Sequence, residues 1–163
     1  MIGANLSSCS SVRYVEGGND PSVRVFKPAD NQDKNKAVLY IYRPFRFGSG
    51  LAAPLIYINN ERIVILRNQR YIWVSLDPGK YVIETRRNSD WAFGRQDSYE
   101  LVAESGRSYF LRVRAESNFH LLLFLTGNPP LDTDFPVIAV KDSEALPELN
   151  EVFYLEPERN HVP

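Results

Sequence analysis

The 163-residue chain reads as an all-β protein: an antiparallel β-sandwich of about eight strands with one short C-terminal helix. Three observations predict this. Short runs of β-branched and aromatic residues recur at regular spacing, each bounded by turn-forming residues. Aromatics make up 12% of the chain, with nine Tyr, nine Phe and two Trp, which suits tightly packed sheets. Only the segment Ser143 to Val152 places apolar residues at helical spacing. A chain of this length buries roughly 70% of its unfolded surface, so it needs no covalent staple.

The elements follow from the punctuation. Residues 1–36 read as a terminal segment and polar tether. Gly17-Gly18-Asn19-Asp20-Pro21 is a breaker cluster, and Ala29 to Lys36 is almost wholly polar. Val23-Arg24-Val25-Phe26 alternates and is the tether's one candidate docking point. The sandwich is expected over 37–155. Ala37 to Arg43 is its first strand, ended by Pro44, and Phe45 to Pro54 is a loop. Leu55 to Ile58 and Arg62 to Leu66 are joined by Asn59-Asn60-Glu61, where Asn tolerates the positive φ of a tight hairpin. Arg70 to Leu76 sets Ile72, Val74 and Leu76 on one face and Tyr71, Trp73 and Ser75 on the other. Asp77-Pro78-Gly79 predicts a turn with Gly79 in the left-handed position, and Lys80 to Arg86 returns as the partner strand.

Asn88 to Gln96 is a second loop. Ser98 to Ala103 and Ser108 to Ala115 form another hairpin. In its second strand Tyr109, Leu111 and Val113 oppose Arg112 and Arg114, the pattern of a sheet with one wet face. Phe119 to Thr126 is apolar on both faces and predicts a central, covered strand. Val137 to Val140 is a further strand. Ser143 as cap, with Leu146, Leu149 and Val152 spaced for one face, predicts a helix that Pro147 keeps short. Residues 156–163 read as a frayed tail.

Charge is uneven although the net is −1. Ala37 to Arg95 holds nine Lys/Arg against four Asp/Glu, and Asp132 to Pro163 holds two against eight. An acidic tail packing back on a basic face is the expected reason. A pI near 6.1 argues against nucleic-acid binding, which wants a net basic domain.

Few groups carry chemistry. One cysteine makes neither a disulfide nor a thiolate cage, and no His/Cys cluster has metal-ligand spacing. No metal or cofactor is expected. His161 sits in the tail, and His120 lies in the most apolar strand. Asp132 and Asp134 stand two apart beside prolines and read as a solvated loop. With His120 they are the residues a hydrolase would have to use, the least favoured reading. The richer pattern is aromatic and cationic. Tyr40, Tyr42, Tyr71 and Trp73 are expected to share a sheet face near Arg43 or Arg70. Trp91 and Phe93 share a loop with Arg86, Arg87 and Arg95. Such mixtures bind glycans, peptides or anions by stacking and forked hydrogen bonds. Trp91, Phe93, Arg86, Arg87, Arg95, Tyr71 and Trp73 form the candidate binding surface.

From Ala37 to Arg86 the chain resembles the bacterial domain of unknown function 2846. The matching residues are Tyr42-Arg43-Pro44, Ile56-Tyr57-Ile58-Asn59, Leu66-Arg67-Asn68 of a Leu-Arg-Asn-Gly motif, Tyr71 to Leu76 and Pro78-Gly79. The family's hairpin glycine is Asn60 here. A looser, fold-level likeness is to the small β domains called PEGA-like. Many members of the family are similar to secreted lipoproteins, in which a short apolar signal ends in Leu-Ser-Gly-Cys or Leu-Ser-Ala-Cys and the cysteine is lipidated. Leu6-Ser7-Ser8-Cys9 fits that box, so the resemblance implies lipid attachment at Cys9. Met1 to Asn5 is too short for the preceding signal, and Met1 is expected to be an internal methionine taken as the start. The resemblance implies a non-catalytic binding or structural module, lipid-anchored on the periplasmic side of a Gram-negative membrane. Its expected partner is an envelope protein or glycan. The alternative is a periplasmic inhibitor or immunity-type protein against a toxin or enzyme.

Overall fold

The computed structural model describes residues 26, 28–29, 33–47, 53–86, 96–119, 125 and 131–155. In chain order these form β1 (Ala37–Arg43), β2 (Leu55–Ile58), β3 (Glu61–Ile65), β4 (Arg70–Leu76), β5 (Gly79–Arg86) and β6 (Asp97–Ala103). Then come β7 (Ser108–Val113), β8 (Glu116–Phe119), β9 (Leu131–Asp134), β10 (Val137–Val140), the helix α1 (Asp142–Leu149) and β11 (Phe153–Tyr154). One sheet has the order β10-β7-β1-β4-β11 and the other β3-β2-β5-β6, while β8 and β9 pair with each other. The chain is the all-β sandwich its sequence predicts. Its ladders are mostly antiparallel, but β1 pairs with β7, and β4 with β11, in parallel.

Period-two alternation sorts each strand between two cores. On the inner face of β1, Ala37, Leu39 and Ile41 meet Ile72, Val74 and Leu76 of β4 and Leu111 and Val113 of β7. The second sheet closes this core with Ile56, Ile58, Tyr81, Ile83 and Leu101. One slip in the ladder strengthens the closure. Ile56 pairs with Val64 but Tyr57 pairs with Arg62, so Ile63 is an extra residue in β3. The bulge lets Ile63 and Val64 both be buried.

The other face of β1 is covered too, which is why every residue of β1 is buried. Tyr40 lies opposite Trp73, and Tyr42 opposite Tyr71. Tyr40 also stacks on Phe110, with ring centroids 5.0 Å apart. Ala145, Leu149 and Val152 pack over this layer. Phe26 caps it, edge-on to Tyr40 and Tyr71, and the Ala29 amide donates to the Tyr40 hydroxyl at 2.8 Å. The four aromatics therefore share a face as the alternation implied. Arg43 does not share it. Arg43 belongs to the inner face, where its Nη1 donates to the Leu66 carbonyl at 3.3 Å and its guanidinium lies 5.0 Å from the Phe135 ring. Burial pulls its pKa down to about 10, so it stays charged at neutral pH.

Several local expectations are corrected. Arg112 is not on a wet face: it is 5% exposed, beneath α1. The helix begins at Asp142 after Lys141, with Ser143 inside it and no side-chain cap. Ala145 and Leu149 face the sheet, whereas Leu146 is 39% exposed. Pro147 has no amide to give to the Ser143 carbonyl one turn back, which keeps the helix short. Asn59 and Asn60 do hold positive φ, at 49° and 71°, but Gly79 is absent from the residues that do and instead opens β5. Most of the apolar run Phe119 to Thr126, expected as a covered central strand, lies outside the described residues. β8 ends at Phe119 in a two-stranded ladder apart from both sheets, and Leu125 is exposed.

Candidate functional site

Topology gathers the long connections at one end. Because β1 and β7 run parallel, Arg43 and Val113 leave together, and β10 enters beside them, with Val137 opposite Val113. Arg43 opposes Arg70, so the connection from β3 to β4 lies at the same end. The Leu66 amide donates to the Pro54 carbonyl at 2.9 Å, and Arg86 opposes Leu55, so the start of β2 and the end of β5 join them. We refer to this as the loop end. The opposite end carries the tight turns at Asn59-Asn60, Asp77-Pro78 and Ser105-Gly106, and the Lys36–Asp77 ion pair at 2.7 Å.

At the loop end the chain emerging from β1, Pro44 to Phe47, is held by Asn68. The Asn68 amide nitrogen donates to the Arg46 carbonyl, and its oxygen accepts from the Arg46 amide, each at 3.1 Å. A side-chain amide thus reproduces both hydrogen bonds of a backbone bridge. Flanking this clamp, Phe45 is 61% and Phe47 93% exposed. Arg67 is exposed in the pinning turn, and neither Pro44–Phe47 nor Leu66–Gln69 contains a carboxylate. Gln69 holds φ at +57°, uncomfortable for a residue with a Cβ. Three hydrogen bonds fasten it: its carbonyl accepts from the Phe153 amide at 3.1 Å and from Arg70 Nη1 at 3.2 Å, and its side-chain nitrogen donates to the Glu151 carbonyl at 2.9 Å. Arg70 covers the Phe153 ring at 4.9 Å. Between the sheets, Thr85 donates to the Phe135 carbonyl and Asp97 accepts from the Val137 amide, both at 2.7 Å. The two phenylalanines therefore project from a braced platform.

The expected binding surface divides three ways. Tyr71 and Trp73 are 7% and 8% exposed and pack beneath the covering layer. Burial is the main cause that pushes the Tyr71 hydroxyl up to about 12. Arg86 lies on the outer face of the second sheet, 4.0 Å above the Tyr57 ring, and binds Glu84 at 2.8 Å and Asn60. Arg87, Trp91, Phe93 and Arg95 lie outside the described residues, as do Cys9 and His120. Asp132 and Asp134 both fall in β9, paired opposite Asn118 and Glu116. Among the described residues no three His, Cys, Asp or Glu side chains group to hold a metal. No helix among them is long and apolar enough to cross a membrane. A cavity of about 180 Å³ beside Tyr99, Tyr109 and Val140 is smaller than the ~300–1,000 Å³ typical of small-molecule sites.

The sequence marks Phe45 to Pro54 only as a loop. The available signal was two phenylalanines one residue apart, bounded by proline and glycine, with no alternating run to bury them.

A second cluster joins the layers. Arg112 lies beside Tyr42 in the parallel ladder. Its Nη2 meets Glu144 and its Nε meets Glu148, both at 2.7 Å, and the Tyr42 hydroxyl donates to Glu148 at 2.6 Å. Burial first, and the Glu148 carboxylate second, hold the Tyr42 proton on well above its usual range. Desolvation works against the Arg112 charge, but the hydrogen bonds that Arg112 donates to the two glutamates and Tyr42 together outweigh it and keep the guanidinium charged. Glu144 and Glu148 come from the acidic C-terminal stretch, but the cation they meet belongs to β7, outside the basic stretch Ala37 to Arg95.

These features define a two-sheet β domain with one face sealed by helix and N-terminal segment, and one end carrying the pinned segment Pro44 to Phe47. The chain belongs to the family described as protein of unknown function (DUF2846), whose model matches residues 33–127. That span takes in β1 to β8 and ends before the β9–β11 segment, including α1, which completes the first sheet and seals its outer face. No curated protein matches the chain.

Proposed function

We propose that this chain is the folded domain of an envelope lipoprotein, acylated at Cys9 on the periplasmic side of a Gram-negative membrane. It acts there as a non-catalytic binding module whose contact surface is the loop end. The observation that carries the proposal is the exposure of Phe45 and Phe47 on a segment pinned at two points by Asn68. Apolar rings held in water contribute nothing to folding, and ordered presentation of them is the usual preparation for contact. The box Leu6-Ser7-Ser8-Cys9 supports the anchor, and the tether that follows supplies reach.

The test is fatty-acid labelling and membrane fractionation of the chain expressed from its natural locus, alongside Cys9→Ser. Acyl label and membrane recovery that Cys9→Ser abolishes are expected. Unlabelled protein, recovered in the soluble fraction in both cases, would overturn the anchored reading.

A further inference from the structure

We infer that the loop end is a membrane-contact surface: Phe45 and Phe47 enter the headgroup–acyl boundary of an anionic bilayer while Arg46 and Arg67 meet its phosphates. This rests on the binding-module reading and names the partner of that same surface. The two rings carry no polar tip, and Phe47 is almost fully exposed. They suit a fluid apolar layer, which asks for buried area rather than a matched pocket. Arg46 lies between the rings, and Arg67 lies in the turn that clamps them. The two segments bear these cations and no carboxylate, the complement of an anionic lipid surface. Among the described residues, the other charged side chains at this end include Arg43, buried against Leu66 and Phe135, Arg70, held over Phe153, Arg86, bound to Glu84, and Asp97, bound to the Val137 amide. They also include Arg114, Glu116 and Asp134 on the neighbouring hairpin and its approach, and Glu151.

The course of the chain points the same way. Phe26, the first described residue, touches Tyr71, the second residue of β4, and Ala29 touches Tyr40, further from the loop end. Asp33 to Lys36 then reach the turn end, where Lys36 pairs with Asp77. The described chain thus begins on the loop-end side. Residues 10–25 join Phe26 to Cys9 and span at most about 55 Å when extended. An anchor at Cys9 leaves the loop end free to touch the same membrane. One lipid chain alone binds marginally, and a second contact made on a short tether adds to it at high effective concentration.

The experiment uses the full chain carrying Cys9→Ser, so that no acyl group contributes. Co-sedimentation is measured with phosphatidylglycerol/phosphatidylethanolamine vesicles and with phosphatidylcholine vesicles. Binding to the anionic vesicles is expected, weakened by salt. F45S/F47S is expected to reduce it by about tenfold or more, since burying one phenylalanine already accounts for that much. R46Q/R67Q is expected to reduce it several-fold and flatten the salt dependence. Both variants should melt within a few degrees of the parent, because all four side chains are exposed and exposed polar contacts contribute only about 0–1 kcal/mol. Equal binding to neutral and anionic vesicles, or unchanged binding of F45S/F47S, overturns the inference. If no vesicle binds but an envelope protein is retained by the parent and lost by F45S/F47S, the lipid assignment falls and the binding-surface reading stands. If F45S/F47S alters neither, both fall.

Discussion

Replacing Arg112 by Met keeps most of the side chain's volume and removes its charge. The structure sets the cost. Arg112 donates to Glu144 and Glu148 at 2.7 Å each, and lies 3.3 Å from the Tyr42 hydroxyl. Hydrogen bonds to charged groups contribute about 1.5–3 kcal/mol when sheltered, but exposed ion pairs only about 0–1. The Glu144 side chain is 59% exposed, so its bond belongs near the lower range; that of Glu148 is 33% exposed and sits between. The variant should therefore lose about 2–3 kcal/mol, or roughly 5–10 °C in melting temperature at this chain length. Glu144→Gln should cost less than about 1 kcal/mol, and Glu148→Gln about 1–2. Urea unfolding of the single and double variants is the assay, and the coupling of Arg112 with Glu148 should exceed that with Glu144. A neutral or stabilising Arg112→Met would mean that desolvation of the guanidinium cancels its bonds. The cluster would then not be what fastens α1 to the sheet.

Alkaline titration gives a second prediction. Tyr71 ionises near 12 in the fold against 10.0 in the open chain. The native state therefore holds its proton longer, and this stability is complete below pH 10 and lost as pH rises through 12. At pH 11 Tyr71 alone should lower stability by about 1.4 kcal/mol, with Tyr40 and Tyr42, also shifted up by burial, adding to it. Arg43, lowered to about 10 by burial, acts in the opposite direction over this range, so the readout is phenolate absorbance of the folded parent against Tyr71→Phe. Tyr71 phenolate that forms near pH 10 in the folded protein would contradict this. Asn68→Ala removes both bonds to the Arg46 backbone and should cost about 1–2 kcal/mol, while blurring the Phe45 and Phe47 resonances in an NMR spectrum. Sharp, unshifted signals would show that Asn68 does not hold the loop. Phe26→Ala opens a space between Tyr40 and Tyr71 and should cost about 2–4 kcal/mol, with amide exchange rising first at Ala29. An unchanged melting temperature would show that the N-terminal segment contributes no packing.

The strands that alternate locally were legible in the sequence. Ile72, Val74 and Leu76 against Tyr71 and Trp73 marked both faces of β4, and the Asn59-Asn60 pair identified the β2–β3 hairpin. What escaped depends on partners far along the chain. The parallel pairing of β1 with β7 leaves no local mark, since nothing near Ala37 announces Ser108. Without it, Arg112 looks like a residue of a wet face. Its burial follows from Glu144 and Glu148, more than thirty residues later. Their spacing of four, on a helix from the acidic end, was the available hint. Gly79 illustrates a turn motif read too literally: proline and glycine mark the bend, but the positive φ belongs to asparagines, Gln69 and Gly106. The loop end was hidden for another reason. Exposed Phe45 and Phe47 carry no periodic signal, and only the clamp by Asn68, more than twenty residues on, shows that they are presented in order.

The most direct measurement is photo-crosslinking in the native envelope. A photoreactive phenylalanine analogue is placed at position 47, and as control at Val102, which is 58% exposed on the outer face of the second sheet near the turn end. Position 47 should give phospholipid adducts and position 102 few. Equal labelling from both sites, or none from 47, would contradict the assignment of the loop end as the surface that this domain turns to the membrane.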